Sequence, residues 1–234
     1  MKEQDNGRTE ELSSATWQFI VSHREDDVRT LALQARKYPQ VDMAEAVTQI
    51  AGWQIAVRKI PSWAATEGIL YPRHLFMEQC SSEITALYKA SLVGGESFTD
   101  LTAGLGVDCS FLARRFRRAD YVERQETLCR LAAHNFPLLG LDHIRVYHAD
   151  ALEYLREMEP VDCLFLDPAR RDSHGGKTVA ITECEPDVCA LESLLVEKGR
   201  KVMVKLSPML DMASALRDLK YIRELHVIAV NNEC

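Results

Sequence analysis

The chain has 234 residues, 47% of them hydrophobic, with 28 lysines and arginines against 35 acids for a net charge of −7. That length admits one domain of ordinary size with a smaller companion, and the composition is that of a soluble globular protein rather than of a generic nucleic-acid-coating polycation. No apolar run approaches a membrane-spanning length, and the polar N-terminus MKEQDNGRTEEL lacks an apolar signal core, so the expected compartment is the cytoplasm and no membrane partner is expected.

Cys80, Cys109, Cys129, Cys163, Cys184, Cys189 and Cys234 are scattered and mostly set among apolar neighbours. They form no C-x-x-C pair and no Cys/His cluster at zinc spacing, so buried reduced thiols and no metal site are expected. Basic residues cluster locally despite the acidic balance. Arg114, Arg115, Arg117 and Arg118 crowd a predicted helix end, where cations suit the helix dipole. Arg170, Arg171 and Lys177 crowd a later loop, where a basic patch can grip phosphates on an acidic protein.

Residues 1–75 read as an all-α accessory domain. Trp17, Phe19, Ile20 and Val21 fall in a helix over 15–23, and Val28, Leu31, Leu33 and Ala35 in one over 26–36. Pro39 breaks the second, and Asp42 is placed to cap a longer helix running past Ile50, Ile55 and Val57. Between Tyr71 and Glu83, Ser81 or Ser82 can cap a helix reaching about Leu92. That segment is either a plain capped linker helix or a cover that sets Gln79, Ser81 and Ser82 over a bound ligand.

From residue 96 strands and helices alternate. Ser97 to Thr102 reads as a short buried strand, Ala103-Gly104-Leu105-Gly106 as a sharp turn, and Val107 to Arg117 as a helix. Two glycines in such a turn let the backbone approach a ligand closely and adopt positive φ. Further strands are predicted at 120–123, 144–148, 162–166, 201–206 and 225–230, with helices at about 127–139, 151–158, 186–198 and 210–219. Repeated β-α units with apolar strands imply a parallel sheet covered on both faces. Ligands in such sheets bind beyond the strand C-termini.

Polar residues with functional roles should therefore sit at successive strand ends. Asp100, Glu123, Asp150 and Asp167 do. Each alone is compatible with helix capping, but four in consecutive units around a glycine turn point to a ligand. Glu123 can accept both hydroxyls of a ribose, Asp150 an adenine amino group, and Asp100 an ammonium. Those demands match S-adenosylmethionine. NAD also needs an acid after the second strand, but G-x-G-x-x-G fails at Cys109, and Asp100 would repel a pyrophosphate.

The ordered set Asp100-Leu-Thr-Ala-Gly-Leu-Gly-Val-Asp108, Glu123-Arg124, Asp150-Ala151 and Leu166-Asp167-Pro168 resembles a class I S-adenosylmethionine-dependent methyltransferase from about residue 75 onward. The glycine turn and the later L-D-P are similar to bacterial rRNA methyltransferases acting on a guanine exocyclic amine. The whole chain resembles bacterial methyltransferases carrying a THUMP-like domain C-terminal to the catalytic one, a domain this sequence does not contain. The resemblance implies a Rossmann-like α/β sheet over 76–234 behind the helical 1–75. It implies cofactor contacts from Asp100, Thr102, Gly104, Gly106, Asp108, Glu123, Arg124, Asp150, Ala151, Gln79 and Ser81.

Amine-methylating relatives use [D/N]-P-P-[Y/F], in which the acid or amide and a proline carbonyl accept from the target NH2 and aim its lone pair. Asp167 and Pro168 match and are the catalytic candidates, whereas Ala169 and Arg170 depart. Arg170 can stack on a base or bind a phosphate, and Arg170, Arg171 and Lys177 are the substrate-binding candidates. The loop 171–177 is read as a substrate lid or an ordinary surface loop, with His174 not catalytic. Lys205-Leu206-Ser207-Pro208 ends a strand on the same rim. A cysteine nucleophile, as in ring-carbon methylation of pyrimidines, has no candidate after the fourth strand's motif. The family sheet ends in a hairpin strand that finds no counterpart before Asn231-Asn232-Glu233-Cys234, so a missing last strand, from truncation or a fragment, is expected. The expected function is methyl transfer to a nucleobase amine in RNA. The alternatives are a protein or small-molecule methyltransferase, or a cofactor-binding protein without chemistry. Oligomeric state is left open.

Overall fold

The structure, a computed structural model, describes residues 12–170, 181, 184–206 and 212–230, without the side chains of Arg170 and Ser214. Its first part is helical: α1 (Ser14–His23), α2 (Val28–Leu33), α3 (Met43–Lys59), α4 (Pro61–Ala64), α5 (His74–Gln79) and α6 (Glu83–Ser91). Side-chain caps begin four of them. Ser13 accepts from the Thr16 amide, Asp27 from Thr30, Asp42 from Glu45 and Ser82 from Thr85. Each cap satisfies an amide that the first helical turn leaves unpaired.

The second part is the α/β unit. In chain order come β1 (Gly95–Asp100), α7 (Val107–Leu112), β2 (Phe116–Glu123), α8 (Glu126–Leu138), β3 (Ile144–His148), α9 (Ala151–Glu157), β4 (Val161–Leu166), β5 (Ala169–Arg170), β6 (Cys184–Glu185), α10 (Val188–Lys198), β7 (Gly199–Val204) and α11 (Met212–Asp218). The main sheet runs β3-β2-β1-β4-β7, every pair parallel, and β5 pairs antiparallel with β6 alongside it. Strand order reverses at β1, so the crevice between β1 and β4 is the switch point where such sheets take ligands. Registers Asp100↔Tyr121, Asp100↔Phe165, Glu123↔His148 and Leu166↔Val204 bring the strand C-termini to one rim.

Two predicted elements differ from the structure. The helix expected over 107–117 stops at Leu112, and after one 3-10 turn the chain enters β2 at Phe116. Burial explains it: Phe116 is interior and stacks on Phe98 at 5.2 Å between centroids, which draws the chain into the sheet early. Arg117 and Arg118 therefore stand at the start of a strand, at the end of the sheet opposite the ligand rim, rather than at a helix C-terminus. The strand expected over 225–230 is not formed. This stretch forms no ladder among the described residues, with an isolated bridge at Val230. Leu225 and Val227 are exposed there. The main sheet has five strands among the described residues.

One apolar cluster spans the later helices of the first part and the sheet, and a separate one lies among the first helices. Phe19, Ile20, Leu31, Met43, Ala46 and Ile50 pack together among the first helices. Ala56, Ile60, Trp63, Ile69 and Tyr71 instead join the cluster of Met77, Phe98, Leu112, Tyr121 and Phe136 beneath the sheet. The connector at 70–71 is gripped from both sides. Leu70 donates to Asn135 Oδ1 and accepts from its Nδ2, both at 2.9 Å, and Tyr71 makes the same paired contact with Gln49 at 2.8 and 2.9 Å. Two buried amides thus replace the strand partner this segment lacks.

Candidate functional site

The site is built on the β1–α7 turn. Gly104 and Gly106 have φ of +54° and +85°. A Cβ on Gly106 would stand 3.0 Å from Phe136 Cζ and 3.2 Å from Tyr121 Cε2, so packing as well as the backbone demands glycine there. A Cβ on Gly104 would meet nothing nearer than Thr102 O at 4.0 Å, which leaves that side of the turn open. The Tyr121 hydroxyl donates to Gly104 O, and Gly104 N donates to Glu123 Oε2 at 3.0 Å. The turn is therefore held in place by the strand beside it.

Asp100 closes β1 and is fully buried. Its Oδ1 accepts from Thr102 N at 3.1 Å, while Oδ2 has no hydrogen-bond partner among the described residues. Burial pushes its carboxyl well above the usual range, and Asp108 adds to the effect. A buried carboxylate oxygen without a donor is costly unless something cationic or protic completes it. Such a combination of perturbation and position makes Asp100 a functional-site candidate.

Asp108 lies in the first turn of α7. Ser81 Oγ donates to its Oδ2 at 2.7 Å, and the Lys89 ammonium pairs with its Oδ1 and donates to Ser81 Oγ at 2.9 Å. Desolvation pulls the Lys89 ammonium below its usual range, and Asp108 works against it. Ser81 is thus buried at the site through Asp108, Ser82 is the cap of α6, and Gln79 is exposed. Of the two readings of this segment, the capped helix is formed by Ser82. Lys89 is the residue that the sequence pattern missed; the only signal was its place beside Ala86 and Ala90 on the inner face of the helix.

Glu123 is buried, accepting from Gly104 N and, at 2.8 Å, from Gln125 N. Two bonds leave acceptor capacity on a carboxylate. Arg124 beside it points outward to Glu185 at 3.0 Å. Asp150 is exposed and caps α9, its Oδ1 accepting from Leu152 N and Glu153 N at 2.9 and 3.1 Å, with Ala151 opening that helix. Capping accounts for one Asp150 oxygen and leaves the other.

Asp167 follows β4 and Lys205 follows β7. Leu166 and Val204 are in register, and Lys205 N donates to Leu166 O at 2.8 Å, so the two side chains stand next to each other. Lys205 Nζ meets Asp167 Oδ2 at 2.5 Å, and Asp167 N donates to Thr102 Oγ1 at 2.7 Å. Burial raises the Asp167 carboxyl, with Lys205 opposing it. Burial works against the charge on Lys205, but Asp167 and Asp108 outweigh it and hold the ammonium above its usual range. Pro168 is buried. The Arg170 side chain, Arg171, His174, Lys177, the loop around them, Ser207, Pro208 and residues 231–234 lie outside the described residues.

Cys80 is half-buried and shares this electrostatic neighbourhood with Lys205 and Asp108. Its Sγ donates to Met77 O at 3.2 Å, and burial pushes the thiol up to about 11, leaving it protonated at neutral pH. Among the described residues no group of three or more His, Cys, Asp or Glu side chains could hold a metal ion, and no helix is long and apolar enough to cross a membrane.

No protein-family model matches the chain. It is similar to the crystal structure of an inferred methyltransferase from Porphyromonas gingivalis W83, with 32% identity and a TM-score of 0.79 over 92% of this chain and 54% of that one. It is also 29% identical over 150 residues to the 23S rRNA (uracil(1939)-C(5))-methyltransferase RlmD of Colwellia psychrerythraea strain 34H, a match covering 58% of this chain and 32% of that protein. The chain thus spans about half the length of the first and about a third of the second. The Rossmann-like fold is common to this chain and the P. gingivalis protein.

Proposed function

We propose that this chain binds S-adenosylmethionine at the β1–β4 crevice and transfers its methyl group to a nucleobase amine in RNA. The observation that carries the reading is the orphaned, buried Asp100 Oδ2 beside a glycine turn with one open side. An α-ammonium completes that oxygen, and the spare lone pairs of Glu123 suit ribose hydroxyls. Likeness to an inferred methyltransferase at 32% identity supports the cofactor, and likeness to an rRNA methyltransferase supports RNA as the substrate partner. The THUMP-like resemblance belongs to the same proposal, as does a cytoplasmic location.

When bound, the cofactor supplies an electrophilic methyl group on a sulfonium. The residues of this chain supply position. Asp167 and the Pro168 carbonyl accept hydrogens of an exocyclic amine, which leaves the nitrogen lone pair free to attack. An amine of this kind needs no base before attack, and the methylated nitrogen sheds its proton to water. The named uracil-C5 activity of the RlmD relative is the competing chemistry. The lack of a cysteine directly after the Leu166-Asp167-Pro168 motif favours the amine over ring-carbon methylation through a cysteine.

Calorimetry with S-adenosylmethionine tests binding, and transfer of labelled methyl from it to bulk RNA tests activity. Binding together with transfer that is lost in Asp167→Ala is expected. Tight cofactor binding with no transfer to any RNA fraction would overturn the RNA reading in favour of a protein or small-molecule substrate, or of binding without chemistry.

A further inference from the structure

The rim carries two lysines, and they are not equivalent. Lys89 is committed to Asp108 and Ser81. Lys205 faces Asp167, the residue placed to receive the substrate, and arrives there by register rather than by side-chain reach. Asp167 follows Leu166 and Lys205 follows Val204, a paired position on adjacent parallel strands. The backbone bond from Lys205 N to Leu166 O locks that pairing one residue beyond the ladder. The lysine takes Oδ2, and no described residue donates to Oδ1. The rotamer of Asp167 is thereby set by a charged contact on one side and by Thr102 holding its backbone amide on the other.

We propose that Lys205 is a positioning residue of this site, gripping Asp167 Oδ2 so that the carboxylate stays charged and presents Oδ1 to the substrate amine. This rests on the methyl-transfer reading above and adds a role to a residue outside its motif. A charged carboxylate accepts hydrogens from both substrate and lysine, whereas a protonated one would spend a lone pair on its own proton and offer a donor to the amine. Among the described residues, the charged or titratable neighbours of Asp167 come from five elements. Lys205 approaches from the end of β7, Lys89 from α6, Asp108 from α7, Asp100 from β1, and Cys80, beside Lys205, from the segment before α6. The carboxylates of Asp108 and Asp100 discourage a further negative charge, and Lys89 is shared with Asp108. Among the described residues, Lys205 is thus the cation that contacts Asp167 directly.

The test uses the intact chain as wild type, Lys205→Met, Lys205→Arg and Asp167→Asn. Carbon-13 NMR titration of the aspartate carboxyls, with the Asp167 signal identified by its absence in Asp167→Asn, reads the effect without cofactor or RNA. Its midpoint should rise by about 1–3 pH units in Lys205→Met and return most of the way in Lys205→Arg. An unmoved midpoint in Lys205→Met overturns the proposal. In single-turnover methyl transfer to RNA, Lys205→Met should slow the reaction by roughly 10–100-fold at neutral pH and recover as the pH rises, with cofactor affinity unchanged. A loss that is equal at every pH, or a change confined to the RNA concentration dependence, overturns it as well. Absence of transfer by the wild type would sink the methyltransferase reading, while the titration would still decide the ion pair.

Discussion

Asp162 and Asp100 sit at opposite ends of neighbouring strands and show one residue type in two states. Asp162, near the start of β4, accepts on Oδ2 from Glu96 N at 2.8 Å, Ser97 N at 3.1 Å and Ser97 Oγ at 3.4 Å, and its Oδ1 faces Arg200 at 3.5 Å. Those donors, the Glu96 amide foremost, hold its carboxyl below the usual range. Asp120 on β2 is likewise closed, by Arg145 at 2.8 Å and the Tyr154 hydroxyl at 3.0 Å. Asp100, at the C-terminal end of β1, has one donor and one orphan oxygen, and burial raises it. The Asp162 end of the sheet is electrostatically complete as folded, whereas at the C-terminal end of β1 one Asp100 oxygen has no partner among the described residues. The arginine cluster belongs to the complete end, so Arg117 and Arg118 do not line the crevice.

The contrast breaks most sharply at the buried pair behind the rim. Lys89→Met strands Asp108 without its cation and should cost about 3–5 kcal/mol in denaturant unfolding, with Asp108→Leu in the same chain returning part of the loss. A neutral single variant would mean that Asp108 does not depend on Lys89. Next comes the turn itself. Gly106→Ala meets both a positive φ and Phe136, for an expected loss of about 2–4 kcal/mol. Gly104→Ala meets only the φ, for about 1–2 kcal/mol. Its Cβ would stand on the open side, so it should weaken S-adenosylmethionine binding out of proportion to its effect on stability. Equal effects on binding from both would argue that the turn's open side is not the cradle.

The smallest effect separates the two aspartates by sign. Asp100→Asn should stabilise the ligand-free protein by about 1 kcal/mol while abolishing cofactor binding, whereas Asp162→Asn should lower stability and leave binding alone. The pH dependence follows the same division. The raised Asp100 carboxyl binds more protons folded than unfolded, so its contribution makes stability fall as pH rises through the folded value, and that slope should vanish in Asp100→Asn. The lowered Asp162 carboxyl works the other way. Its contribution is present above the unfolded value near 3.8 and is lost as pH falls through the folded one. Urea titrations of both variants across acid and neutral pH measure the two slopes.

The sequence alone determined the α/β class, the glycine turn and the four strand-end acids, because these depend on local signals. Apolar runs of strand length, glycines where φ turns positive, and polar residues directly after strands are all legible within a few positions. It misplaced the end of the helix before Phe116, where stacking on Phe98 overrides helical periodicity, and it expected a strand over 225–230, where no ladder forms among the described residues. Only the tertiary structure decided which acids remain open. Asp150 has one oxygen engaged by a helix cap, Asp108 is neutralised by a lysine 19 residues earlier in the chain, and Asp167 faces a lysine 38 residues later. Such pairings arise from strand register and helix packing between distant segments, which no local pattern encodes. Register and burial together leave Asp100 with an oxygen that no other described residue satisfies.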